Sequence, residues 1–267
     1  EVSLGFDIFK KTDFHWSLDL NATFFKNKIT KMPKDSDGKA QEIINGTKKL
    51  SEGHSIYEFW LREYAGVDPE DGSALYYKDI EDANGNVTGR ETTKDQNAAS
   101  YYYMGDAIPD LYGGFTNSFS YKGFDLSIFF SYQIGGQMYD SNYLGLMHPG
   151  SFGTHWSTDI LDRWQKPGDI TDVPRLQNNY TAANAASSRW LTNASYLALK
   201  NVTLSYTLPK TIQKKLDMKN CKIFLTGDNL FLLSKRKGMD PQQSFNGTAD
   251  YTYVPNRVVS LGINVTF

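Results

Sequence analysis

From Val259 to Phe267 the chain alternates without a break. Val259, Leu261, Ile263, Val265 and Phe267 are apolar; Ser260, Gly262, Asn264 and Thr266 are small or polar. Side chains on a strand point to opposite faces with period two, so this segment predicts a strand with one apolar and one wet face. The same pattern recurs upstream. Val2, Leu4, Phe6 and Ile8 alternate with Ser3, Gly5 and Asp7, and Phe14 to Phe24 alternates at every position. Residues 111–121 and 124–134 form a second pair, and Val202, Leu204, Tyr206 and Leu208 stand opposite Asn201, Thr203, Ser205 and Thr207. Cys221–Leu233 is a strand with poorer alternation, which brings the total to seven.

The connections alternate as regularly as the residues. Those at 10–13, 121–124 and 209–219 are short; those at 32–110, 137–194 and 234–256 are long. A soluble β-sandwich also builds half-buried strands. Short turns alternating with long loops, however, are the asymmetry of outer-membrane barrels. The predicted fold is therefore all-β: an antiparallel transmembrane β-barrel segment of about seven long strands, with short periplasmic turns and long extracellular loops. On this reading Leu18, Leu126, Ile128, Leu261 and Ile263 face lipid, while Asp19, Asp125, Asp228 and Asn264 face the lumen. Inside the first long connection, Asn84-Gly85 between Tyr76–Ile80 and Val87–Arg90 predicts a local hairpin. Ser157–Gln165 predicts a short helix, and Lys210–Leu216 one or two helical turns.

Composition narrows the picture without changing it. With 28 basic and 30 acidic residues the chain has no nucleic-acid footprint. No apolar run approaches the ~18 residues of a membrane helix, which says nothing against strands that cross by alternation. The single Cys221 rules out an internal disulfide framework. Glu1–Phe9 is already strand, so the expectation is a piece of a longer protein.

Candidate chemistry is sparse. His148 and His155 share a loop with Asp159 and Asp162, but the spacing matches no zinc pattern. Asp79, Asp82, Asn84 and Asn86 faintly resemble a calcium loop, yet Val87 stands where an EF-hand needs Gly, and the hairpin turn explains them better. No carboxylate pair is singled out, so no catalytic residue, metal or cofactor is expected. Tyr143, Trp156, Trp164 and Trp190 lie in long loops outside the strand pattern. They are candidates for contact with a ligand or partner, the competing role being to fill the loops' own cores.

Several ordered stretches resemble one family. Gly105-Asp-Ala-Ile-Pro109 leads into Tyr112-Gly-Gly-Phe-Thr-Asn117 and then Phe119–Leu126. Asp172-Val-Pro-Arg-Leu176, Ser195–Tyr206, Gly227-Asp-Asn-Leu-Phe231 and Gly262–Phe267 follow in order. Together they resemble the SusC/RagA family of TonB-linked outer-membrane transporters of Bacteroidetes, over nearly the whole chain. The resemblance implies that residues 1–267 are the C-terminal part of a receptor barrel whose plug and TonB-contacting segment are not in this chain. It also implies an outer-membrane location in a Gram-negative bacterium, an oligosaccharide or peptide solute, and a SusD-type surface lipoprotein as lid. TonB would be reached through the missing N-terminal part. The spacing of Ser260, Gly262, Val265 and Phe267 resembles the C-terminal signal read by the barrel-assembly machinery. Two function classes remain: barrel wall and loops of a nutrient importer, or a soluble β-rich glycan-binding module.

Overall fold

The computed structural model describes residues 1–11, 13–249 and 251–267. Thr12, in the first expected turn, and Asp250, in the third long connection, lie outside the described residues. The seven long strands form one sheet: β1 (Val2–Lys10), β2 (Phe14–Thr23), β3 (Leu111–Tyr121), β4 (Phe124–Ile134), β5 (Tyr196–Thr207), β6 (Asn220–Ser234) and β7 (Val258–Thr266). They are hydrogen-bonded in chain order, every pair antiparallel, so β1 and β7 are the two edge strands. In such a meander successive connections leave from opposite ends. The three long ones therefore share one end, and the short ones share the other.

Register turns the alternation of single strands into two continuous faces. One row runs Trp16, Phe119, Leu126, Leu204, Leu225, Leu261, each opposite the next. A row of the other face runs Gly5, Asp19, Thr116, Phe129, Asn201, Asp228. On the apolar face, aromatic rings meet across strands: Phe115 on Phe130 at 4.9 Å and Trp16 on Phe119 at 5.7 Å. Asn117, polar but on this face, accepts from the Trp16 indole N–H at 3.2 Å, so its carbonyl is not left bare.

Phe129 and Phe224 interrupt the wet face, and glycine explains both. A Cβ on Gly114 would stand 2.7 Å from Phe129, and one on Gly262, directly opposite Phe224, would enter that ring. Each aromatic lies where a neighbouring strand has no side chain. The β3–β4 turn is just Lys122-Gly123, with φ of 45° and 86°, the doubly positive geometry that suits the twist of a two-residue hairpin. Between β5 and β6 the pairing skips Lys200 on one strand and Asn229-Leu230 on the other, with Asn229 left-handed at φ 51°. The poorer alternation of Cys221–Leu233 has two sources: Phe224 lies on the wet face over Gly262, and Leu230 falls in the bulge.

The long connections differ most from expectation. Residues 24–110 hold seven short strands, among them the hairpin of Ala74–Glu81 with Val87–Thr93, in which Asp79 pairs with Arg90. Ser157–Gln165 is not a helix: only Thr158–Asp162 turns, as a tight 3₁₀ segment. Lys210–Lys215 is helical. The long connections pack together through small shared cores. Phe59, Leu61 and Ala107 from the first meet Tyr139, Met147, Val173 and Trp190 from the second. Met138 and Ala194 from the second meet Met239 and Ala249 from the third. Backbone hydrogen bonds reinforce the seams: Tyr64 N donates to Ser188 Oγ at 3.0 Å, and Tyr139 N to Gly247 O at 2.7 Å.

Candidate functional site at the junction of wall and loops

The four expected wet-face residues share one face of the sheet. Asp228 Oδ1 accepts from Asn201 Nδ2 at 2.8 Å, and Thr203 Oγ1 donates on to Asn201 Oδ1 at 3.1 Å. Asp125 accepts from Ser120 Oγ at 2.8 Å and pairs with Lys222 Nζ at 3.0 Å. Asn264 stands opposite Lys222, and Asp19 lies beside Gly5 and Thr116. Side chains so paired across strands make a fixed polar ladder rather than a loose charged surface.

At its loop end this face runs into a cavity of about 330 Å³. Tyr112, Gln133 and Tyr196, neighbours on three adjacent strands, form its floor, and Gln137, Gln242 and Phe245 close it from the loops. None of its lining residues carries a formal charge. Phe245 is held by stacking on Phe25 at 5.9 Å and by the edge of Tyr57 at 5.4 Å. Rings and amides without charge suit a neutral polar solute, and the volume sits at the small end of ligand pockets.

The loop aromatics fall into different situations. Trp190 corrects the expectation of a contact surface: it is 0% exposed at the centre of the largest loop core, its indole donating to Ala185 O at 2.8 Å. The surrounding buried apolar side chains range from Val173, 17 positions away, to Phe59, 131 positions away, a set that no local pattern reveals. Tyr143 is half-buried, donates to Asp159 Oδ2 at 2.7 Å and carries the Arg236 guanidinium 3.8 Å over its ring. Arg236 also lies 2.9 Å from the buried Asp140 carboxylate, a charge contact rather than an aligned hydrogen bond. Trp156 is exposed, stacks on His148 at 4.8 Å and donates to its carbonyl. Trp164 packs over Gly72, where a Cβ would overlap its ring, and donates to Pro69 O at 3.1 Å.

His148 is a loop organiser. Its Nδ1 accepts from the backbone N–H of Gly150 and Ser151 at 3.1 and 2.8 Å, and Nε2 meets Thr154 Oγ1 at 2.7 Å. Among the described residues no group of three or more His, Cys, Asp or Glu is placed to hold a metal ion. Asp82 accepts from the amides of Asn84 and Asn86, both at 2.9 Å, so it shapes the hairpin turn.

Sequence reasoning missed the charged clamp between the first two loops. Lys94 bridges Asp68 at 2.7 Å and Asp71 at 3.1 Å, and Arg175 from the second loop donates to Asp71 O at 2.6 Å. Burial works to raise the Asp71 carboxyl, but the amide and hydroxyl of Ser73 and the Lys94 ammonium outweigh it and hold the group down to about 2. Lys48 shows the opposite balance. Burial pulls its amine down to about 8, with Asp106 offsetting part of that, while Nζ donates to Tyr57 O at 2.7 Å and sits 3.6 Å over Phe59. Nothing in the spacing of these charges marks them before the loops are folded.

A two-faced antiparallel wall carrying a folded loop layer on one end is what comparison with known proteins finds in TonB-dependent receptors, to which this chain is similar over its whole length. No protein-family model matches the chain. It is 28% identical over 287 residues to TonB-dependent receptor P3 of Formosa agariphila, with all of this chain and 28% of the relative aligned. With TonB-dependent receptor SusC of Bacteroides thetaiotaomicron it shares 26% over 269 residues, covering 96% of this chain and 25% of SusC. The structure of the RagAB peptide transporter superposes with a TM-score of 0.82 at 26% identity, over 99% of this chain and 28% of that one. The resemblance to the SusC/RagA family read from the motifs thus holds in sequence and in structure, and the chain spans about a quarter of the length of the relatives it matches.

Proposed function

We propose that the chain is barrel wall and outer loops of a TonB-energised importer of oligosaccharides or peptides in the outer membrane of a Gram-negative bacterium. One observation carries the reading. The apolar face is continuous over the sheet and uncovered, with Leu225, Ile263 and Leu261 at 47%, 63% and 78% exposure. A soluble glycan-binding module would hold that face in water, and soluble monomers rarely expose contiguous apolar patches beyond a few hundred Å². Lipid removes the difficulty. The two edge strands then need partners, because each unsatisfied backbone group in hydrocarbon costs several kcal/mol. On this reading further strands, a plug and the TonB contact come from outside these residues.

The wet face is then the lumen wall, and the neutral cavity beneath the loops is where a solute meets it. A SusD-type lipoprotein covers the loop layer, with Tyr143, Trp156 and Trp164 as candidate contacts and Trp190 as the scaffold below them. Ser260, Gly262, Val265 and Phe267 serve the barrel-assembly machinery: an unpaired final strand can add to another sheet through its backbone. The test is labelling with a lipid-soluble probe. Cysteine at 261 should label strongly and cysteine at 264 weakly; equal labelling sinks the assignment of faces.

A further inference from the structure

Beyond Asp228, β6 pairs with β5 alone, because β7 ends its pairing at Val258. The returning chain runs beside this bare stretch, tied by Asn229 Nδ2 to Asn256 O at 3.1 Å, and a cavity of about 560 Å³ opens between them. Its lining has two parts. Leu230, Leu233, Val254 and Met239 supply aliphatic surface, and Lys200, Lys235, Lys237 and Arg257 supply four positive charges. The one acid in the lining, Asp240, is occupied as a cap, accepting from Gln242 N at 3.0 Å and Gln242 Nε2 at 2.8 Å. No ion pair engages any of the four cations among the described residues. Phe231 and Leu233, exposed at 53% and 58%, belong to the apolar face opposite Leu199 and Leu197. The cationic group therefore stands where the apolar face meets the loops.

We propose that this cavity holds a phosphate-bearing lipid of the surrounding outer leaflet, acyl chain along Leu233 and Val254, phosphate against Lys235, Lys237 and Arg257. Aliphatic surface joined to uncompensated cations matches an anionic amphiphile. The neutral cavity on the wet face, with its rings and amides, has the opposite chemistry, so the two cavities take different ligands. The inference rests on the membrane reading above, because only there does the apolar face meet lipid.

The experiment uses the intact protein, purified from outer membranes in a neutral detergent, with lipid A as probe and native mass spectrometry as readout. Its other arms are dephosphorylated lipid A and inorganic phosphate alone. The test protein carries Lys235→Gln, Lys237→Gln and Arg257→Gln, three exposed side chains whose loss leaves the loop cores intact. At roughly a few-fold per cation near a charged lipid surface, the triple variant should bind lipid A about a hundredfold more weakly. Dephosphorylated lipid A should lose binding to the same degree, and inorganic phosphate should fail to displace the lipid. Unchanged affinity in the triple variant overturns the proposal, as does inorganic phosphate competing on equal terms, which would make this a free-anion site. A cysteine at 261, labelled from lipid in both proteins, separates the failures. If it labels and lipid A binding is unaffected, only this inference falls; if it does not label, the membrane reading falls with it.

Discussion

The wall and the loop layer use the same kinds of side chain in opposite ways. The loops bury several large apolar groups in cores of their own: Trp190, Phe59 and Tyr76 are 0% exposed and Leu61 is 1% exposed, while Phe152 and Ile170 stand open at the surface. In the wall they are outside: Leu261, Val259 and Ile263 are exposed at 78%, 66% and 63%. The loop layer thus meets part of its hydrophobic requirement internally, through small cores shared between the connections. The wall leaves that requirement to its surroundings, and what makes it cohere is the backbone ladder and the rings and polar pairs across it. On the membrane reading, one chain thus carries two folding problems with two solvents.

The sharpest way to separate them is to remove the centre of the loop core. Trp190→Ala should destabilise the loop layer by about 3–5 kcal/mol, the range for emptying a large aromatic site. Limited proteolysis should then cut within 24–110 and 135–195 while the strands stay protected. Simultaneous loss of the wall strands and the loop layer would show that the two fold as one unit. Next comes a charge on the wall. Leu261→Arg should cost about 2–4 kcal/mol of folding stability in bilayers near the midplane, and Asn264→Arg, on the wet face, far less. Equal costs would erase the distinction between the faces.

A smaller effect tests what Gly262 is for. Gly262→Ala drives a methyl into the Phe224 ring and should cost about 1–3 kcal/mol, as overpacking does. Adding Phe224→Ala should relieve it. If heat-modifiable mobility shows the assembly defect persisting in the double variant, Gly262 is needed by the assembly machinery and not only by its neighbour.

The least effect, and the one most specific to the loops, is acid sensitivity of the clamp at Asp71. Its carboxyl sits below the ordinary value when folded, so the stabilisation is fully present above that ordinary value and is lost as pH falls towards about 2. Trp164, packed on Gly72 beside it, should change its fluorescence in that window and not near neutrality. A transition near neutral pH would assign control to another group.

The wall was legible in the sequence because apolar and polar side chains alternate along whole strands, so period two repeats for about ten residues at a time. Phe14 to Phe24 and Val259 to Phe267 needed nothing else. What blurred Cys221–Leu233 was Phe224, set on the wet face over Gly262, and Leu230, caught in the bulge beside Asn229. The loop strands were not legible for a different reason. Segments such as Lys48–Leu50 and Tyr64–Val67 are too short to show a period, although their strand partners are near in sequence, and the contacts that hold them against other loops come from far away. Ala74 N finds the Tyr180 hydroxyl, and Tyr76 OH the Ala182 carbonyl, each across 106 positions. For the same reason the sequence could not tell whether Trp190 meets a partner or fills a loop core; it is 0% exposed. The wet-face carboxylates were found because they follow the strand period; Lys94, Arg175 and Arg236 follow none.

The two-residue turn at Lys122-Gly123 has a consequence for the order of events. It closes eleven facing pairs between β3 and β4, from Tyr121–Phe124 to Leu111–Ile134, at almost no loss of chain freedom. Joining β2 to β3 must instead bring together ends separated by the whole first loop, and closure entropy grows with that length. Contacts local in sequence form first when the remaining terms are similar. β1 and β2 are also joined locally, but with eight pairs broken by a register shift against eleven unbroken ones, so the β3–β4 hairpin is the seed from which the wall zips in both directions. Pulse-labelled amide exchange during refolding should protect Phe115 and Phe130 before any residue of β1 or β7; protection arriving first at an edge strand would reverse the sequence.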